Sequence, residues 1–290
     1  MPSYLVTGGS GQLGQCFHSI AKEFHEINLF FTSRNEVDIT RSETLSNFYS
    51  KNPFDGIINC AAYTNVDHAE KEGESTIKIN TEGLQNLIDL AENKTLSIIH
   101  FSTDYVFEGQ SEEPYTEEAV TNPIGIYGNS KLQGEVRLSK CSCKNVTIRT
   151  SWLFSPFEKN FVKTIARIAK EKSAIKVVDD QWGRPTYGID LARTVLKLIS
   201  KDTMYTLPIL HYANKGMCSW KKFAEAIVNE LEYKTTIQGI PTSAYPTLAK
   251  RPKYSILDTE FIEKELQIKI PTWQEGLKKC IQILKIDENL

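Results

Sequence analysis

The 290-residue chain predicts an α/β protein: a Rossmann-like, doubly wound parallel sheet with a smaller, interleaved C-terminal lobe. Three observations carry this. Short apolar runs alternate with longer amphipathic stretches through the first half. Those runs are apolar throughout rather than at every second position, the pattern of strands covered by helices on both faces. A glycine-rich turn, Thr7-Gly8-Gly9-Ser10-Gly11-Gln12-Leu13-Gly14, joins the first run to the first amphipathic stretch, as expected at the start of a βαβ series.

In chain order, residues 4–7 read as a strand and 12–24 as a helix, followed by strand 27–32, helix 42–51 and strand 56–60. Residues 76–93 read as a helix because Ile79, Leu84, Leu87, Ile88 and Ala91 recur at helical spacing. Residues 97–102 form a fourth strand. A loop with Pro114 and Pro123 leads into a helix over 125–140 and a strand over 146–149. Beyond Thr150 the alternation loosens. Strands are expected at 175–178, 209–212 and 235–240, and helices at 189–199, 219–231 and 273–284, with Ser219 as an N-cap. Residues 1–150 thus read as the sheet domain, with returning segments near 175–212, and 151–290 mainly as a lobe over the sheet's carboxyl edge.

A formal net charge of −2, with 40% hydrophobic and 24% charged residues, fits a globular protein and argues against general nucleic-acid or membrane-surface binding. No apolar run approaches the roughly 20 residues that span a bilayer. The chain starts directly on a strand, without a basic segment and apolar stretch, so the cytoplasm is the expected compartment. Of six cysteines, Cys141 and Cys143 are the only close pair, and reduced thiols are expected. Cys60 reads as a small buried hydrophobe. No Cys/His grouping has zinc-ligand spacing, and no residue is assigned to a metal.

In the glycine turn, Gly8 permits a tight bend. Gly11 lets the backbone approach a pyrophosphate, and Gly14 lets helix and strand pack closely. The helix start behind them offers free N–H groups and partial positive charge to phosphates. Gly8, Gly11, Gln12, Leu13 and Gly14 are therefore assigned to a dinucleotide, and 1–150 to its binding domain. An NAD site usually has a carboxylate at the end of the second strand for the ribose 2′-hydroxyl. Here Ser33-Arg34 stands instead. A hydroxyl and a guanidinium suit a 2′-phosphate, so NADPH is expected, with NADH the alternative, and Asp38 and Ile39 line the adenine pocket.

Tyr127 and Lys131 are four residues apart on a predicted helix and so share a face. A free phenol has a pKa of about 10; a neighbouring ammonium is expected to lower it. Ser102-Thr103-Asp104 ends the fourth strand, at the edge where doubly wound sheets bind ligands. Thr103 is placed to hydrogen-bond a substrate carbonyl, and Asn80 to steady Lys131 through water. A hydroxyl, a phenol and an ammonium converging on one carbonyl suit ketone reduction, with hydride from the nicotinamide and a proton from Tyr127.

These residues resemble the extended short-chain dehydrogenase/reductases, and among them the dTDP-4-dehydrorhamnose reductases. The likeness runs through Gly11-Gln12-Leu13-Gly14, Asp38-Ile39-Thr40, residues 59–67, 102–107, 127–135 and 149–152, and continues at 160–161, 180–181, 183–186, 244–246 and Arg251-Pro252. It implies a nucleotide-sugar substrate and reduction of the 4-keto group of dTDP-4-dehydrorhamnose to dTDP-L-rhamnose. It implies catalytic roles for Thr103, Tyr127 and Lys131, substrate contacts from Asp104, Trp152 and Arg251, and cofactor contacts from Ala62, Tyr63 and Thr64 besides those above. Bacterial relatives imply a homodimer linked by magnesium through glutamates, one of them two residues past the last turn glycine. Cys16 stands at that position, a poor magnesium ligand, so the metal stays open. Two alternatives remain open. One is a reductase or epimerase of another nucleotide-linked 4-keto sugar; the Asp-Glu pair of dehydratases is replaced by Asp104-Tyr105. The other is a non-catalytic subunit like the regulatory partner of methionine adenosyltransferase.

Overall fold

The computed structural model describes residues 1–199 and 203–287. The apolar runs become six strands, β1 (Ser3–Thr7), β2 (Asn28–Phe31), β3 (Gly56–Asn59), β4 (Ser97–Thr103), β5 (Asn145–Thr150) and β6 (Ile209–His211). They lie in the order β6-β5-β4-β3-β1-β2, all paired in parallel. Side chains alternate across a strand, so neighbours feed opposite cores. Val6, Ile58, Ile99 and Ile148 enter one apolar cluster, and Leu5, Ile57 and Ile98 the other. β3 and β4 are buried along their whole length, which is why their sequences do not alternate. The order reverses between β1 and β3, and the glycine turn leaves β1 at that crevice, where open α/β sheets hold ligands.

The flanking helices are α1 (Gln12–Ile20), α2 (Ser42–Lys51), α3 (Gly83–Lys94), α4 (Ile126–Leu138), α5 (Phe161–Glu171), α6 (Gly188–Ile199), α7 (Trp220–Glu230) and α8 (Trp273–Asp287). The helix expected over 12–24 ends earlier and tightens into a 3₁₀ turn, Ala21–Glu23. The helix expected over 76–93 is three pieces: Gly73–Ile77, a π-helical turn Lys78–Glu82 and α3. It stops where Thr95 takes a left-handed φ of 57°. Three α-helices lie where the sequence reading has none. Val66–Ala69 and Glu260–Leu266 are short. α5 follows an Asn160 cap and buries Val162, Ile165, Ala166 and Ala169, and its cations mask that apolar stripe.

Within the stretch 175–212, α6 packs on α1 and β6 extends the sheet beside β5. Ala174–Val178 instead pairs with Thr236–Ile240 in a separate two-stranded sheet. Cys141 and Cys143 are not reduced thiols, as expected from sequence, but a disulfide. The turn after α4 brings their Cα atoms to 5.3 Å, within disulfide reach. Among the described residues no helix is long and apolar enough to cross a membrane.

Gly14 sits in the tightest packing of the crevice. A Cβ there would lie 2.6 Å from Gly9 Cα and closer still to the Gly8 carbonyl oxygen. Gly14→Ala is expected to cost about 1–3 kcal/mol of stability, the usual range for overpacking. Urea unfolding measures it, and an unchanged midpoint would show that the turn yields.

Candidate active site

The glycine turn is built to leave donors free. Gly8 has a φ of +63°, and Gly11 caps α1 with no side-chain bond. The first N–H groups of α1 thus face the crevice without a side-chain partner, a cradle suited to phosphate oxygens. Gln12 donates to the Leu153 carbonyl at 3.2 Å, tying the turn to the segment after β5, while Leu13 is buried.

Opposite the turn, α4 approaches the sheet unusually closely. A Cβ on Gly128 would meet the Tyr105 carbonyl carbon at 2.9 Å, and one on Gly134 the Asn80 carbonyl oxygen at 2.9 Å. Glu135 forms a buried ion pair with Arg149 of β5 at 2.7 Å, both side chains being at most 4% exposed. This pair and the two glycines set the rotation of α4 and present Tyr127 and Lys131 to the carboxyl edge of β4.

At that edge Thr103 is buried, donates to Asp104 Oδ1 at 3.1 Å and accepts from the Tyr105 N–H at 3.2 Å. The Tyr127 phenol is not lowered, as expected from sequence, but held above its usual 10. Burial is the main cause, Asp104 and Tyr105 add to it, and only a hydrogen bond with Thr103 opposes it. The reason is where Lys131 points: its Nζ lies 3.1 Å from His100 Nε2. Burial pushes the Lys131 ammonium down to about 8, and Glu135 and Cys60 pull the other way. His100, in turn, is bonded through Nδ1 to Asn59 Nδ2 at 3.0 Å, and Asn59 Oδ1 accepts from the Thr7 hydroxyl at 2.7 Å. A buried polar row, Thr7–Asn59–His100–Lys131, thus crosses three strands to reach the site.

Asn80 bonds through its side chain directly to Tyr63 and Ser130. It lies in the π-helical turn, a feature frequent at functional sites. Its Oδ1 accepts from the Tyr63 N–H at 2.8 Å, and its Nδ2 donates to the Tyr63 carbonyl at 3.1 Å and to Ser130 Oγ at 2.9 Å. It therefore clamps the Ala62-Tyr63-Thr64 segment to α4, next to Lys131. The Tyr63 phenol donates to Glu72, and Thr64 is exposed. On the adenine side, Ile39 turns into the core, so of the pair 38–39 only the Asp38 side chain reaches the surface. Arg34 is exposed and pairs with Asp38 at 3.4 Å.

On the substrate side, Arg251 does not stand free for a phosphate oxygen. It pairs with Asp67 at 2.6 Å and donates to the Tyr105 phenol at 3.0 Å. Tyr105 in turn stands edge-on to Tyr127, ring centroids 5.7 Å apart. Beyond Arg251 opens a cavity of about 1040 Å³, lined by Tyr245, Thr247, Lys250, Lys253 and Tyr254 among others. Trp152 holds a left-handed φ of 45° and stacks on Trp220 at 3.5 Å. Among the described residues no group of three His, Cys, Asp or Glu side chains could hold a metal ion. Cys16 is buried, and burial pushes its thiol up to about 12.

Sequence reasoning missed His100, Asn59, Asp67, Tyr105 and Trp220. The first two are polar residues inside apolar strands, a signal in itself because a buried polar group demands a partner.

A doubly wound sheet, a glycine cradle at its switch point and a Thr–Tyr–Lys constellation at the end of β4 define a short-chain dehydrogenase/reductase. The model of the RmlD substrate binding domain family matches residues 3–286. The chain is similar to a dTDP-4-dehydrorhamnose reductase of Aggregatibacter actinomycetemcomitans, 36% identical over 96% of this chain and 98% of that one. It also resembles two solved dTDP-4-dehydrorhamnose reductases. That of Clostridium acetobutylicum has a TM-score of 0.93 and 36% identity over 98% of this chain and 99% of that one. That of Bacillus anthracis, solved in complex with NADP, has a TM-score of 0.93 and 34% identity over 98% of this chain and 100% of that one. The chain belongs to the RmlD family.

Burial pushes the Asp104 carboxyl up to about 6 from 3.8, with hydrogen bonds from Ser255 and Thr103 opposing. Its acid form favours the folded state, so this contribution is complete below the ordinary carboxylate range and is lost as pH rises through about 6. Relative to wild type, Asp104→Asn should gain roughly 2 kcal/mol between pH 4 and 7. Urea unfolding at several pH values checks this; a pH-independent difference would refute it.

Proposed function

We propose that the protein reduces the 4-keto group of dTDP-4-dehydrorhamnose to dTDP-L-rhamnose, with NADPH as the preferred reductant and NADH as a poorer one. The observation that carries the reading is the meeting of Thr103 and the Tyr127 phenol at the end of β4, one helical turn from Lys131 and beside a cation-lined cavity. A bound reduced nicotinamide supplies hydride to the carbonyl carbon. The chain supplies the rest. Tyr127, held above its usual pKa, stays protonated at neutral pH and gives its proton to the carbonyl oxygen. Thr103 hydrogen-bonds that oxygen, and Asp104 and Trp152 hold the sugar. Lys131 binds the nicotinamide ribose, and Asn80 keeps the 62–64 segment against it. Gly8, Gly11, Gln12, Leu13 and Gly14 hold the pyrophosphate at the start of α1. Lys250 and Lys253 face the cavity that takes the nucleotide diphosphate, with Arg251 anchoring its rim.

The 2′-phosphate of NADPH falls to Arg34 and Ser33. The Arg34–Asp38 pair is exposed on the Arg34 side, 73% against 21%, and such a pair is easily exchanged for a better anion. The reading carries a cytoplasmic location and a homodimeric assembly with it.

The test is to incubate the protein with dTDP-4-keto-6-deoxyglucose, the matching 3,5-epimerase and NADPH, and to identify the sugar. dTDP-L-rhamnose with stoichiometric loss of NADPH is expected. Turnover without net cofactor use would indicate an epimerase, and no turnover beside a stable complex with another protein a binding subunit. Tyr127→Phe should keep cofactor affinity and lower kcat about a hundredfold or more, while Lys131→Ala should impair both. Arg34→Ala should lower kcat/KM for NADPH about tenfold and leave NADH unchanged, since one charge-assisted contact is worth about 1.5–3 kcal/mol. Equal losses with both cofactors would show that Arg34 does not bind the 2′-phosphate.

A further inference from the structure

We propose that His100, fixed in place by Asn59 and Thr7, is a positioning residue that sets which proton form Lys131 adopts. The backbone N–H of Ala61 donates to Asn59 Oδ1 at 3.2 Å and, at the longer 3.4 Å, to Thr7 Oγ1, while the Thr7 hydroxyl donates to Asn59 Oδ1 at 2.7 Å. The carboxamide is thereby oriented, and its Nδ2 faces His100 Nδ1 at 3.0 Å. An amide NH₂ only donates, so Nδ1 accepts. His100 is buried, and burial together with Lys131 holds it well below the usual 6.5, so the ring is neutral. A neutral imidazole has one N–H. With Nδ1 accepting, that proton is on Nε2, which faces Lys131 Nζ at 3.1 Å. The contact is a hydrogen bond only if the lysine offers its lone pair. The geometry is that of the amine.

The other titratable groups facing Lys131 are Glu135 on its own helix and Cys60 just past β3. Glu135 is already paired with Arg149 of β5. The Cys60 thiol is held well above its usual range by burial and carries no charge. His100 is thus the contact at hydrogen-bonding distance that distinguishes amine from ammonium. To accept from an ammonium, Nε2 must lose its proton to Nδ1. Nδ1–H then faces the Asn59 NH₂, and the carboxamide must turn over, giving up its bond from Ala61. Ala61 lies against the glycine turn, where a Cβ on Gly8 would come within 2.8 Å of its nitrogen. The proton form of Lys131 is therefore coupled to the backbone beside the cradle.

The kinetic part of the test rests on the reductase reading; the spectroscopic part needs neither substrate nor turnover, so failure of one is distinguishable from failure of the other. In protein labelled with ¹⁵N-histidine, His100 is one of five histidines and is assigned by its loss in His100→Leu, or by its shift in the isosteric Asn59→Asp if that variant does not fold. At about pH 9 the wild type should show the Nε2–H tautomer, converting to Nδ1–H as pH falls and Lys131 takes up a proton. Asn59→Asp gives Nδ1–H a carboxylate acceptor while still accepting from Thr7 and Ala61. It should hold His100 as Nδ1–H throughout and move the basic limb of both kcat and NADPH affinity up by about one pH unit, a tenfold change in proton affinity. An Nδ1–H tautomer in the wild type at pH 9 overturns the proposal, as does an unmoved basic limb in Asn59→Asp.

Discussion

The rotation of α4 about its own axis is the constraint on which the site depends. Tyr127 and Lys131 are one helical turn apart, and a modest rotation would carry both away from β4. The buried Glu135–Arg149 pair prevents it. Such a pair is weak evidence for stability, since taking two charges out of water costs about what their attraction returns. Its geometry is what matters here. Arg149 also lies over the Phe107 ring, 5.1 Å from its centroid, so the guanidinium is fixed from two sides and fixes the helix in turn. Gly128 and Gly134 remove the two Cβ atoms that would hold α4 off the Tyr105 loop and the π-helical turn.

Close approach brings polar groups into a poorly solvated space, and the electrostatics follow from that. Asp104, Tyr127 and Lys131 all shift toward their neutral forms, each chiefly because burial penalises charge. For a carbonyl reduction this is the useful direction. A phenol that keeps its proton is a donor in waiting, whereas a phenolate would have to be protonated first. The expectation that an adjacent ammonium lowers the phenol treats the two groups as an isolated pair on one helix face. The sheet supplies a third partner, His100, and Lys131 turns to it.

Much of the fold was legible because parallel strands covered on both faces leave an unambiguous trace, and the glycine turn marks where the first strand meets the first helix. The candidate pair was legible for a similar reason, as Tyr127 to Lys131 is a fixed helical spacing. What stayed hidden depends on contacts between distant segments. Arg251 sits in a proline-rich loop, and 184 residues separate it from Asp67, the partner it meets, so nothing local in the sequence names that partner. Asn80 falls inside a helical pattern, and nothing local shows that a π-helical turn will aim it at Tyr63. Ile39 follows Asp38 in a matching motif and was assigned to the same pocket, although its side chain faces the core.

The Asp67–Arg251–Tyr105 contacts link the 249–251 segment to the candidate site. Asp67 also accepts from the Ala249 N–H at 3.1 Å, so one carboxylate fastens both ends of the 249–251 segment to the sheet domain. Arg251 passes that restraint to the Tyr105 phenol, and the Tyr105 ring meets Tyr127 edge-on. The position of the proton-bearing ring is thus tied to the rim of the cavity. Because Arg251 is paired with Asp67, the exposed cations lining that cavity are Lys250 and Lys253, with Glu108 also in its lining. A compact lysine charge on a flexible stem suits an anion held in several poses, whereas a guanidinium locked by two partners suits a fixed wall. The rim of the cavity thus has a wall fixed by Arg251 and its two partners beside the exposed Lys250 and Lys253.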